Sequence, residues 1–249
     1  MGGTDVAVSR AVTRQAACGL RAAIFDVDGV LLASPHERAW REALDGLADP
    51  AWFTTAMYQA EVAGKPRMSG ARAALVALGL PDVERRAGPY AERKQARLEE
   101  LIRSGHVSAF PDALRLVEAL GAIGWPMAVA SSSKNASAML DGVRLGDGRP
   151  LLERFVVDMC GRDLRRGKPD PEIFLLAAAG LRMPPACCVV AEDAPAGIRA
   201  ALAGGMAGLG VARLHDENLL EAAHATLVVA SLDAVSVEAL ARGMLELKR

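Results

Sequence analysis

Asp26 and Asp28 stand at the end of the apolar run Ala22-Ala-Ile-Phe25, with Gly29 directly behind them. Ser131 ends a second apolar run, Met127-Ala-Val-Ala130. Glu192 and Asp193 end a third, which begins at Cys187, and Lys168 lies in Gly167-Lys-Pro-Asp-Pro171. An isolated Asp-x-Asp-Gly is ordinarily just a turn with capping acids. Four carboxylates gathered in one place are different: they repel, and their pKa values rise unless a cation is present. Oxygen-only ligands suit Mg²⁺, which keeps several waters and pairs with substrate phosphate. Lys168, the Ser131 hydroxyl and nearby backbone N–H groups would then hold the remaining phosphate oxygens. Such a set serves phosphoryl transfer, where positioning and charge neutralisation do most of the catalysis. An aspartate can also carry the phosphoryl group covalently.

These residues converge only if the right elements carry them. Leu20 to Phe25 reads as a first strand, and Gly29 takes the backbone out of it. Ser34-Pro35 then reads as a helix start with Pro35 at the first helical position. From His36 to about Ser108 the pattern is helical throughout, with helices expected over His36 to Leu47, Ala51 to Val62, Ser69 to Leu78 and Asp82 to Ser104. Asp49-Pro50, Gly64-Lys-Pro66 and Gly79-Leu-Pro81 mark the breaks. From Pro111 onward helices and strands alternate. Strands are expected at Pro126 to Ala130, Phe155 to Val157, Cys187 to Ala191, Gly208 to Ala212 and Thr226 to Ala230, and a last helix at Asp233 to Leu247. That alternation predicts an α/β fold with a parallel sheet covered on both faces. In such sheets ligands sit beyond the carboxyl ends of the strands, where the polar groups above are found. The expected organisation is a tail over residues 1–19, a core of residues 20–34 plus 110–249, and an inserted helical cap over residues 35–109.

Bulk properties agree with a packed enzyme-sized chain. The sequence has 249 residues, 51% hydrophobic and 24% charged, so a core rather than disorder is expected. A formal net charge of −1 leaves no electrostatic footprint for nucleic acid or an anionic membrane. No apolar run is long enough to span a bilayer, and residues 1–19 do not read as a secretory signal. The four cysteines, Cys18, Cys160, Cys187 and Cys188, form no metal-ligand pattern with the four histidines. Cys187 and Cys188 are expected as small core residues, and a reducing, cytoplasmic setting is expected.

Taken in order, Asp26-Val-Asp-Gly-Val30, Ser131, Lys168 and Glu192-Asp193 resemble the four motifs of the haloacid dehalogenase-like phosphotransferase superfamily. The resemblance spans about residues 20 to 230. It implies a Rossmann-like parallel-sheet core with a helical cap inserted after the first motif. It implies Asp26 as nucleophile, Asp28 as general acid and then base, and Ser131 and Lys168 as partners of the phosphoryl group. It also implies Mg²⁺ held by Asp26, the Asp28 carbonyl and Asp193, with Glu192 close by. The presence of Asp28 favours phosphate-ester chemistry, since dehalogenating and phosphonate-cleaving members lack that second acid.

A finer resemblance is to β-phosphoglucomutase and its phosphatase relatives. It rests on His36-Glu-Arg-Ala-Trp40, Gly64-Lys-Pro-Arg67, Glu92-Arg-Lys-Gln95 and Ser131-Ser-Ser-Lys-Asn135. It implies substrate contacts from Gly64, Arg67, Ser132, Ser133, Lys134 and Asn135, which would include a second phosphate site. It likens His36 to a hinge residue that seats the general acid, and Lys94 to a cap lysine near the substrate. Each has a plainer reading. His36 could be an exposed helix-start histidine, Arg67 and Lys94 solvated helix charges, Lys134 and Asn135 the start of a helix. Trp40 reads as cap core and Asp170 as a helix cap. The expected function is a Mg²⁺-dependent phosphatase of a small phosphosugar-type metabolite, with a monomer as the favoured assembly. The alternative is β-phosphoglucomutase-type isomerisation through the same residues. A metabolite-binding protein without turnover is the remaining class.

Overall fold

The computed structural model describes residues 19–248. The tail expected over residues 1–19, including Cys18, lies outside them except for Gly19. Among the described residues eight strands make two sheets: β1 Ala22–Phe25, β2 Leu32–Ala33, β3 Ser108–Ala109, β4 Met127–Val129, β5 Val157–Asp158, β6 Cys188–Glu192, β7 Ala207–Val211 and β8 Leu227–Val229. Six of them form one parallel sheet in the order β5-β4-β1-β6-β7-β8. Its strands are short and apolar because both faces are covered. Ala23, Phe25, Val129 and Ala191 face one core with Leu116, Val117 and Leu120. Ile24, Ala128 and Val190 face the other, with Phe174 and Ala177. The period of two in each strand thus divides one apolar run between two cores.

Helices fill the connections: α1 His36–Glu42, α2 Thr55–Met57, α3 Arg67–Ala77, α4 Val83–Arg103, α5 Pro111–Ala122, α6 Ala136–Gly142, α7 Glu172–Gly180, α8 Pro195–Ala203, α9 Glu217–Ala222 and α10 Val237–Ala241. The first four stand between β2 and β3 and have a core of their own, built on Trp40, Leu44, Phe53, Leu75 and Tyr90. The Trp40 and Tyr90 rings lie 5.1 Å apart. The Tyr90 hydroxyl donates to the Trp40 carbonyl at 2.9 Å and so joins α1 to α4.

Several expected boundaries are corrected. The helix expected over Ala51 to Val62 is three pieces: a 3-10 turn at Pro50–Trp52, α2, and a π-helix at Tyr58–Val62. Phe53 is drawn fully into the core of these helices, and Thr54 restarts the helix by accepting from Met57 N at 3.2 Å. Between His36 and Ser108 the regular elements are all helical, as expected; the unexpected feature is at its two ends, where β2 and β3 pair antiparallel as the chain leaves and re-enters the core. Two-residue strands leave no period to read. The C-terminal helix expected over Asp233 to Leu247 shrinks to α10, which Ser236 caps and after which Gly243 turns at φ +83°. Residues beyond it fold back, with Lys248 N donating to Ala234 O at 2.8 Å. The sequence reading missed α9.

Cys160 and Cys188 carry free thiols. Cys187 and Cys188 are both buried core residues, as expected, and Cys187 is in addition disulfide-bonded. Among the described residues no helix is long and apolar enough to cross a membrane.

The bond between α1 and α4 supplies a stability test. Tyr90→Phe keeps the ring packing and leaves the Trp40 carbonyl without that donor. Stability is expected to fall by about 1–2 kcal/mol, measured as a lower urea midpoint at unchanged m-value.

Candidate active site

Sheet register brings the acids together. Phe25 pairs with Ala191 on one side and Val129 on the other, so the next residues, Asp26, Glu192 and Ala130, share one edge. Asp26 N donates to Ala191 O at 3.0 Å, and Ala130 N to Phe25 O at 2.9 Å. Lys168 enters this edge from the loop ahead of α7. Its Nζ lies 2.5 Å from Asp26 Oδ1, 2.5 Å from Glu192 Oε1 and 3.3 Å from the Ala130 carbonyl. The Phe174 ring stands 4.9 Å from that ammonium. Glu192 also accepts from Ala194 N at 3.2 Å. Gly197, one turn into α8, leaves room for it: a Cβ there would come 1.9 Å from the Glu192 carboxyl carbon.

Burial works against every charge here. It raises Asp26, with Lys168 opposing, and it raises Glu192 in the same way. Burial lowers Lys168 too, but Asp26 and Glu192 outweigh it and hold the ammonium above its ordinary value. Asp193 is pushed well up by burial and then by Glu192 and Asp26. Among the described residues no hydrogen-bond donor reaches its carboxylate.

The donor set fits a divalent cation. Asp26, Glu192 and Asp193 offer carboxylate oxygens within 4.8 Å of one another. Backbone groups add to this. The loop from Val27 to Leu32 folds on itself, with Gly29 N on Leu32 O and Leu31 N and Leu32 N on Val27 O. Phe110 N takes the Leu31 carbonyl, and Arg213 takes those of Gly29 and Val30. Among the described residues, the Asp28 carbonyl is the one in this loop left without a donor. Gly29 turns at φ +81°, and a Cβ on it would fall 2.0 Å from Asp193 Oδ2. Asp193 therefore packs directly on the loop that presents the Asp28 carbonyl.

The Asp28 side chain turns away from that group of acids. Ser34 donates a short hydrogen bond to its Oδ1, and His36 Nε2 lies 3.5 Å from Oδ2. His36 Nδ1 is 3.1 Å from Lys94 Nζ, and its Nε2 is 3.4 Å from the Ser133 hydroxyl. Burial, then the Lys94 charge, hold His36 well below its usual value, so its ring is neutral at pH 7. An ammonium can only donate, so Nδ1 accepts and Nε2 carries the proton. Burial lowers Lys94 to about 8, with Asp28 opposing. Its ammonium sits 5.0 Å from the Trp40 ring. Burial also raises Asp28.

Helices α1 to α4 close over this edge. The Ser132 hydroxyl donates to the Gly64 carbonyl at 3.2 Å. A Cβ on Gly167 would meet Pro66 at 2.0 Å, and one on Gly64 would meet Ala194 at 3.1 Å. Between the two layers lies a cavity of about 340 Å³ that Asp26, Asp28, His36, Lys94, Ser131 and Asp193 line. Lys168 and Glu192 lie beneath its floor. Ser133 N donates to the Ser131 hydroxyl at 3.1 Å, which bends this loop under the cavity. Gly64, Ser132, Ser133, Arg67 and Lys134 line it as well. Asn135 is not brought in: its backbone N donates to the Ser133 hydroxyl at 3.3 Å, at the entry to α6. Lys134 is exposed and paired with Asp163 at 2.9 Å. Asp170, expected as a cap, accepts from Glu172 N at 3.0 Å at the start of α7.

Sequence reasoning missed Ser34, Tyr58, Lys65 and Arg162. Ser34 was read only as a helix start, yet its hydroxyl is spent on Asp28. Tyr58, Lys65 and Arg162 line the cavity. Tyr58 opens a π-helix in a segment broken into three short pieces, so no continuous 3.6 period runs through it. Arg162 stands six residues before Lys168, in a stretch with no periodic signal.

The family model described as haloacid dehalogenase-like hydrolase matches residues 20–205. The chain belongs to this family. A β-phosphoglucomutase of Mycobacterium bovis is 36% identical over 214 residues, covering 76% of this chain and 79% of that one. Hexitol phosphatase A of Escherichia coli is 30% identical over 218 residues, covering 86% and 92%. Among solved structures, an archaeal β-phosphoglucomutase from a hyperthermophilic Pyrococcus matches with a TM-score of 0.70 at 29% identity, over 88% of this chain and 96% of that one. The parallel sheet with its helical layers is the fold of haloacid dehalogenase-like enzymes, and this chain is one of them.

Gly29 tests the packing of the loop on Asp193. In Gly29→Ala the new methyl is expected to displace the Asp193 carboxylate and lower kcat/KM at least about 100-fold. Gly46→Ala has a similar φ of +72° and nothing within 4 Å of the new Cβ. It is expected to lose stability, by about 1–2 kcal/mol, with activity retained. Parallel phosphate-release assays and thermal melts separate the two.

Proposed function

We propose that this chain is a Mg²⁺-dependent phosphatase of small phosphorylated sugars, working through a phospho-aspartate on Asp26. The observation that carries this reading is the different footing of two neighbouring carboxylates. Asp26 is buried and held by Lys168 at the sheet edge, while Asp28 is half-buried and hydrogen-bonded by Ser34 beside His36; burial raises both, but the ammonium is bonded to Asp26 alone. Two carboxyl groups in different environments can take different roles at one pH.

Asp26 would attack phosphorus as its bond to the ester oxygen breaks, and Asp28 would give that oxygen its proton. Asp28, now ionised, would take a proton from water as the water attacks phosphorus. The bond from phosphorus to Asp26 then breaks and phosphate leaves. Ser131 and Lys168 would hold the phosphoryl oxygens. Mg²⁺ would be held by the carboxylates of Asp26 and Asp193 and the Asp28 carbonyl, with Glu192 close by, and would neutralise charge on the transferring group. Residues 35–109 would act as a cap on a core of residues 20–34 and 110–249. In that cap, Gly64, Arg67 and Lys94 would meet the sugar or a second anion, opposite Ser132, Ser133 and Lys134 of the core. His36 would seat Asp28.

The second reading is sugar-phosphate isomerisation. It is supported by the contacts of Gly64 and Pro66 on the core, since a closed cap that excludes water lets a sugar hydroxyl take the phosphoryl group instead. A net charge of −1 supports a small-molecule partner rather than nucleic acid or an anionic membrane, and we take the enzyme to act as a monomer. A cytoplasmic setting rests on the free thiols of Cys160 and Cys188, and the disulfide at Cys187 weighs against it.

A Mg²⁺-dependent screen over phosphosugars, following free phosphate and isomerised sugar phosphate, tests the reading. Free phosphate that Asp26→Asn abolishes is the expected result. Isomerised product with little free phosphate would replace the phosphatase by the mutase. No turnover of any phosphate ester, with no labelling of Asp26 by beryllium fluoride, would overturn both.

Lys94 adds a pH test. It is protonated below about 8 and neutral above, so a substrate anion loses a cation as pH rises through that value. The expected outcome is a fall in kcat/KM above pH 8 that disappears in Lys94→Met.

A further inference from the structure

Arg213 follows β7 and belongs to none of the motifs read from the sequence, yet it reaches the loop behind Asp28. Its Nε donates to the Gly29 carbonyl at 3.3 Å and its Nη2 to the Val30 carbonyl at 3.1 Å. The other side of the guanidinium, Nη1, pairs with Asp112 Oδ2 at 2.6 Å. Asp112 is in turn fixed by the Ser231 hydroxyl at 2.9 Å and Leu232 N at 2.8 Å. The guanidinium plane lies 4.0 Å from the Phe110 ring, directly after β3. Arg213 is 12% exposed and Asp112 8%, so this ion pair is shielded from solvent and salt.

The geometry leaves the loop little freedom. Its remaining carbonyls, apart from that of Asp28, are held by backbone N–H groups, and Arg213 closes the last two. Those two carbonyls follow Asp28 directly in the chain, so their orientation sets where the Asp28 side chain points. A guanidinium is the one side chain whose rigid fork can hold two carbonyls and a carboxylate together.

We propose that Arg213 is a positioning residue for phosphoryl transfer, acting through the Gly29 and Val30 carbonyls to hold Asp28 in line with the leaving oxygen. This rests on the role given to Asp28 above. Arg213 does not line the cavity. Its loss would impair proton transfer to a poor leaving group while sparing attack by Asp26, which a general loss of structure would not do.

The experiment compares the full chain with Arg213→Met and Arg213→Lys, using a phosphosugar that the wild type turns over and p-nitrophenyl phosphate. Nitrophenolate leaves without needing a proton, so its first-turnover burst reports attack by Asp26 alone. For Arg213→Met, kcat on the phosphosugar is expected to fall about 30- to 100-fold with KM changed less than about threefold. The nitrophenolate burst is expected to stay within about threefold, and Arg213→Lys to recover part of the loss. Arg115→Met removes an exposed ion pair to Asp233 that joins α5 to the same Ser231 to Ala234 turn without touching the loop. It is expected to keep kcat within about twofold.

Equal losses on both substrates, or no loss on either, would overturn the proposal. If Arg213→Met fails to melt cooperatively, the comparison of substrates is made with Arg213→Lys, for which the same two results decide. A wild type that turns over no phosphate ester would sink the reading of Asp28 and this proposal together. An active wild type with indifferent Arg213 variants would sink only the proposal.

Discussion

Lys168 holds its ammonium between the carboxylates of Asp26 and Glu192, with side-chain exposures of 0%, 6% and 0% respectively. Charges this deeply buried are tolerable only in company, because each alone would carry several kcal/mol of lost hydration. Removing the cation would leave two acids facing each other, and removing an acid would strand the cation. The surrounding structure is shaped by that need. The register of β1 against β6 puts the acids side by side, Gly197 yields the volume that Glu192 occupies, and Phe174 lies beside the ammonium. Asp193 stands outside this balance and keeps its carboxylate for the cavity. The ion pairs of Lys168 thus hold the floor of the site together, while the Asp193 carboxylate faces the cavity above it.

The helical layer answers a second constraint. Asp28 sits at the rim of the sheet, and its environment comes from elsewhere: Ser34 and His36 from the passage into the helices, Lys94 from α4. The short pairing of β2 with β3 draws both passages together beside the loop that carries Asp28. The clamp of Arg213 and Asp112 meets the same loop from below, and Phe110 joins the two. The helical layer, the β2–β3 passage and the loop carrying Asp28 thus share direct contacts.

Mutases and phosphatases both stand among the relatives of this chain, and a shared core accounts for that. Capture and release of a phosphoryl group need the same floor in either reaction. On the proposed mechanism the difference would lie in which nucleophile reaches phosphorus second, and Gly64 and Pro66, packed against the core, are placed to influence it.

The sequence by itself determined the floor of the site. Asp26, Ser131, Glu192 and Asp193 each follow an apolar run, and parallel strands must deliver their ends to one edge. The alternating pattern after Pro111 likewise determined the sheet, because a strand buried on both faces leaves an unbroken apolar signature. Where the period failed, so did legibility: the π-helix at Tyr58, the two-residue strands beside the hinge, and the fragmented C-terminus after Ser231. Only the tertiary structure decided that Arg213 reaches the loop behind Asp28 and that Lys94 meets His36. Arg213 lies 185 residues from Asp28, and His36 and Lys94 are separated by 58. Neither pairing leaves a local mark, because each depends on how layers pack rather than on what the neighbouring residues prefer.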